Sequence, residues 1–84
     1  MEETELVDSL VPAVEEQLQS KDTTYVRKTY QRLLKLDDID DALALRMIAL
    51  CLADESNRMF IDKRNFDELR YQELLNALPD LPEA

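Results

Sequence analysis

No glycine occurs anywhere in the 84 residues of the chain. Tight hairpins of types I′ and II′ need positive φ at their turn positions and favour glycine strongly. An all-β meander is therefore disfavoured. The Walker P-loop and the dinucleotide-binding G-x-G-x-x-G are excluded outright, because both use glycine to bring backbone against phosphate. Leu, Ala, Glu, Arg, Gln, Met and Lys dominate instead, and these are strong helix formers. The expectation is an all-α fold.

Other absences narrow the chemistry. There is no histidine, which removes His-based general catalysis and ordinary zinc sites. The single cysteine, Cys51, cannot form a disulfide within the chain, whereas small secreted domains usually carry several. The opening residues Met1 to Glu5 are acidic where a signal or transit peptide would be basic. The longest apolar stretch, 42–53, is twelve residues interrupted by Arg46, and a membrane span needs about 20. These features lead to the expectation of a cytoplasmic protein. At 45% hydrophobic residues the chain is too apolar for a disordered segment, and its length suits one domain, 1–84, with a short proline-containing tail at 79–84.

Periodicity and caps predict four helices, at about 3–20, 23–35, 38–61 and 67–78, in a compact bundle or orthogonal array. In the first, Leu6, Leu10, Val14 and Leu18 recur every four residues with Val7 and Val11 beside them. Pro12 leaves two arrangements. Either the helix continues with a kink near Val11, or Ser9 caps a helix in which Pro12 lies in the first turn. In the second helix Val26, Tyr30 and Leu33 face inward, and Arg27, Lys28, Arg32 and Lys35 lie outside. The third is apolar on every side across 42–53, which makes it the central helix or the seam of a dimer. Asp37 or Asp38 is expected to cap it, with Asp40 and Asp41 in its first turn. Asp54 with Arg58, and Arg58 with Asp62, are spaced as i,i+4 pairs on an exposed face. Asp67 reads as the N-cap of the fourth helix, with Phe66 and Tyr71 as a hydrophobic staple.

Few constellations suggest chemistry. The run Asp37-Asp38-Ile39-Asp40-Asp41 lacks the glycine and the twelfth-position glutamate of a calcium-binding EF-hand, so helix capping explains it. Asp54, Glu55 and Asn57 supply oxygen ligands in principle, but a solvated, ion-paired helix face is the simpler expectation. Cys51 has no neighbouring base and reads as a small core hydrophobe. Tyr25, Tyr30, Tyr71, Phe60 and Phe66 read as core or staple residues. Arg46 has no partner on its own helix, so it must snorkel, pair across helices or meet another protein.

Charge is the least generic feature. Nineteen acids and ten bases give −9, yet 21–36 carries five bases and one acid, a net +4 that leaves −13 on the remainder. A DNA-reading helix-turn-helix fails here, because the third helix would enter the groove led by Asp38, Asp40 and Asp41. The reading that results is a small acidic helical interaction module with no catalytic centre, cofactor or metal. It binds a protein partner, a second copy, or both, and neither nucleic acid nor membrane. Arg27, Lys28, Arg32, Lys35 and Arg46 are its candidate partner-binding residues. Two alternatives stand beside it: an acidic mimic of nucleic acid that occupies a basic partner protein, and a carboxylate-based metal- or ligand-binding protein.

Overall fold

The computed structural model describes residues 3–82. Within them the chain is all-α: α1 is Glu3–Gln19, α2 Thr24–Leu34, α3 Asp41–Asp62 and α4 Glu68–Ala77, with a 3-10 turn at Lys21–Thr23 between the first two. α3 packs against each of the other three helices. No helix among the described residues is long and apolar enough to cross a membrane. The radius of gyration, 12.1 Å, matches the roughly 12 Å of a close-packed chain of this length.

α1 runs unbroken through Pro12. Proline removes the N–H that would bond the carbonyl of Asp8 and crowds that carbonyl. Pro12 and Asp8 both lie on the exposed face, so the freed oxygen has water to turn to. Ser9 is not a cap; its Oγ donates to the Leu6 carbonyl at 2.7 Å. The buried stripe of α1 is centred on Val7 and Val14, one residue round from the expected Leu6 register, and Leu6 is 37% exposed.

Ser20 caps the 3-10 turn by accepting from the Asp22 N–H at 3.1 Å. Thr23 stands before α2 but makes no side-chain cap; its hydroxyl donates back to the Gln17 carbonyl at 2.8 Å. α2 buries Val26, Thr29 and Leu33, while Tyr30 is only partly covered. α3 starts later than expected. Asp40, rather than Asp37 or Asp38, is its N-cap, accepting from the Leu43 N–H at 2.8 Å. Ile39, buried between the acids, pins the connection to the core.

Along α3, Ala44, Ile48, Cys51, Leu52 and Glu55 are buried at helical spacing. Phe60 is not a core residue. It lies about 140° round the helix from Glu55 at 3.6 residues per turn and is 82% exposed. The helix ends on Lys63, whose backbone is left-handed with φ 54° and ψ 49°. Glycine normally takes that position. Here the Lys63 and Arg64 N–H groups both donate to the Met59 carbonyl, and the turn forms without glycine.

α4 follows the sequence pattern closely. Asp67 caps it by accepting from the Arg70 N–H at 3.1 Å. Phe66 packs edge-on against Tyr71 with ring centroids 5.5 Å apart, and Tyr25 meets Tyr71 the same way at 6.0 Å. The Tyr71 hydroxyl donates to Gln17 Oε1 at 2.7 Å, tying α4 to α1. Leu75 and Leu78 complete the buried face, and a cis peptide bond leads into Pro79.

Candidate functional site

Asp54 and Glu55 do not form a solvated face. Glu55 is fully buried, and its two oxygens accept four hydrogen bonds. Arg64 closes on it as a fork, Nη1 to Oε2 at 2.7 Å and Nη2 to Oε1 at 3.0 Å. The Asp67 N–H donates to Oε2 at 2.8 Å and Arg70 Nη1 to Oε1 at 2.9 Å. Arg70 Nη2 also reaches Asp54 Oδ2 at 2.6 Å. Two carboxylates and two guanidiniums thus neutralise one another at the α3–α4 corner. The donated bonds, those of Arg64 foremost, hold the Glu55 carboxyl down from 4.5 to about 2 against the opposing effect of burial.

This cluster replaces the expected local pairs. Asp54 faces Arg70 and Asp62 faces Arg64, whereas Arg58 is exposed and forms no ion pair among the described residues. The missed signal was phase. Glu55 stands three and seven residues after the buried Leu52 and Ile48, and a carboxylate on that face requires cations to meet it. With both oxygens saturated by N–H donors, Glu55 has no lone pair to offer a cation. Among the described residues no group of three Asp, Glu or Cys side chains is arranged to hold a metal.

The candidate basic residues divide by type. Arg32 Nη1 donates to the Leu78 carbonyl at 2.6 Å and Nη2 to the Leu75 carbonyl at 2.8 Å. Arg27 Nε donates to the Leu18 carbonyl at 2.9 Å. Each guanidinium therefore caps the carbonyl end of a neighbouring helix, where the helix dipole also favours a cation. Arg46 pairs with Asp8 on α1, and both side chains remain about half exposed. Lys28 and Lys35 are exposed and form no ion pair among the described residues. Lys28, Arg32 and Lys35 stand at i, i+4 and i+7 along one exposed face of α2, with Arg32 engaged by the α4 carbonyls.

Cys51 is fully buried. Burial, with the nearby Asp54 charge adding, pushes its thiol up to about 12. A thiol held protonated in a closed core is neither a nucleophile nor a metal ligand. Burial raises the Tyr71 hydroxyl in the same way.

Apolar side chains remain in solvent at two places. At the α3–α4 corner Phe60 is 82%, Ile61 56% and Leu69 71% exposed. At the α2–α3 connection a cavity of about 470 Å³ opens among Leu36, Leu43, Met47 and Pro79, with Asp37 and Asp38 also lining it. No protein-family model, curated protein or solved structure matches the chain.

Proposed function

We propose that the protein is a non-enzymatic protein–protein interaction module that also associates with itself. The observation that carries this reading is the exposure of large apolar side chains, with Phe60 82% and Leu69 71% exposed on opposite sides of one short turn. Single exposed leucines are ordinary on a protein surface, but three large apolar side chains more than half exposed within ten residues, Phe60, Ile61 and Leu69, favour a partner. The polar groups give catalysis little support. The buried carboxylate is saturated, the thiol is closed off, and there is no histidine. Of the five candidate docking bases, Arg27 and Arg32 bond backbone carbonyls and Arg46 pairs with Asp8, whereas Lys28 and Lys35 are exposed with no ion pair among the described residues and are the ones assigned to binding.

Native mass spectrometry of the purified protein tests the reading. Dimers free of bound ligand, growing with concentration, support it. A monomer that carries a tightly bound small molecule or metal contradicts it and moves attention to ligand binding.

A further inference from the structure

The first two helices carry opposite charge. α1 holds five acids and no base, whereas α2 with its C-cap, 24–35, holds four bases and no acid. Arg27 and Arg32 bond backbone carbonyls, and Asp8 pairs with Arg46 on α3. Lys28, Lys35, Glu5, Glu15 and Glu16 are exposed and form no ion pair among the described residues. α1 and α2 pack on one another, and both pack on α3. Even so, no ion pair among the described residues joins α1 to α2. An anionic face and a cationic face are therefore neighbours on the surface, each largely unpaired.

A two-fold interface is self-complementary: each copy must supply both halves of every contact it makes. Neighbouring helices of opposite charge meet that condition, because a two-fold axis between them lays each α1 on the α2 of the other copy. We infer that two copies of the chain associate in this way. The spacing fits. Lys28 and Lys35 stand seven residues apart on α2, as Asp8 and Glu15 do on α1, so each pair is separated by about 10 Å along its helix. With the helices antiparallel, Lys28 of one copy meets Glu15 of the other. Lys35 then meets Asp8, which remains about half exposed beside Arg46. Net charge favours the same face. Residues 3–36 hold six acids and five bases, while 37–84 hold twelve acids and five bases, so two copies repel least across α1 and α2. A foreign acidic segment laid on α2 would meet the acids of α1 beside it, whereas a second copy brings bases to them. The inference rests on the self-association reading and names its surface. It leaves the exposed Phe60 and Leu69 outside the dimer.

Sedimentation velocity over a wide concentration range, on the full chain and its variants, tests the inference. Exposed charge pairs are screened by salt, so the dimer is expected at low ionic strength and should weaken about tenfold in roughly 0.5 M salt. Lys28→Glu and Glu15→Lys each set like charges together twice in a two-fold dimer, and each is expected to weaken it about tenfold. Both positions are exposed and free of ion pairs among the described residues, so both variants should melt within about 2 °C of wild type. An equimolar mixture of the two restores opposite charges at both contacts. It is expected to form a heterodimer of near wild-type strength, although each variant remains net acidic. A wild-type chain that stays monomeric throughout overturns both the inference and the self-association reading. A dimer indifferent to salt and to Lys28→Glu, or one lost instead on Phe60→Ser with Leu69→Ser, overturns this face and leaves self-association standing. A mixture that associates no better than either variant alone overturns the pairing.

Discussion

Arg32 on α2 donates 2.6 Å to the carbonyl of Leu78, 46 positions further along the chain, and with its second nitrogen bonds Leu75. The last carbonyls of any helix lack intrahelical donors, and glycine-based C-caps are the usual remedy. A chain without glycine has to find others. Here α4 is finished by Arg32, α1 by Arg27 and the Thr23 hydroxyl, and α3 by a lysine forced into left-handed backbone. The basic character of 21–36 is thus partly a property of the fold, since two of its arginines cap neighbouring helices.

Neutralising the buried carboxylate leaves Arg64 and Arg70 with only the more exposed Asp62 and Asp54 to offset them. Glu55→Gln is expected to cost about 3 kcal/mol, measured by urea unfolding near neutral pH. An unchanged midpoint contradicts the account of the corner.

The same group makes stability depend on acid. Its folded pKa, about 2, lies below its ordinary 4.5. Its contribution is therefore fully present above about 4.5 and is lost as pH falls towards about 2. Wild-type stability should drop more steeply than that of Glu55→Gln across this window, and parallel curves contradict the assignment.

Lys63→Gly should stabilise the protein. The substitution relieves the side-chain penalty at positive φ, about 1 kcal/mol, against a smaller gain in unfolded-chain freedom. An increase in Tm of a few degrees is expected. A fall in Tm contradicts a strained turn.

The Cys51 thiol, raised to about 12 and buried, should resist an aromatic disulfide reagent at mildly alkaline pH. Labelling should proceed at the rate of unfolding and accelerate with urea. Immediate labelling of the native protein contradicts a closed core around α3.

The elements most legible in the sequence are those built from neighbours. Asp67 as cap and Phe66 with Tyr71 as staple involve residues within five positions, and the structure keeps all three. The centrality of α3 followed from its apolar composition alone. The corner was obscured because the partners of Glu55 lie nine to fifteen positions away across a turn, while a local i,i+4 pairing with Arg58 looked sufficient for Asp54. The bases of α2 misled for the same reason. Helical phase puts Arg27 and Arg32 on the outside of their own helix, but the carbonyl ends they cap belong to α1 and α4, and nothing in a linear sequence brings those ends alongside. Phe60 reads as core or staple by residue type, and its phase, about 80° from Leu52, does not separate it cleanly from the buried face, yet it is 82% exposed.

Arg32 caps α4 whereas Lys28 on the same helix has no ion pair among the described residues, and thermal unfolding of Arg32→Gln beside Lys28→Gln separates the two. Loss of two charge-assisted bonds at partly exposed carbonyls should cost about 1.5 kcal/mol, lowering the Tm of Arg32→Gln by roughly 6–10 °C. Lys28→Gln, at an exposed position, should stay within about 2 °C of wild type. Equal melting of the two variants, or a larger loss from Lys28→Gln, contradicts the account.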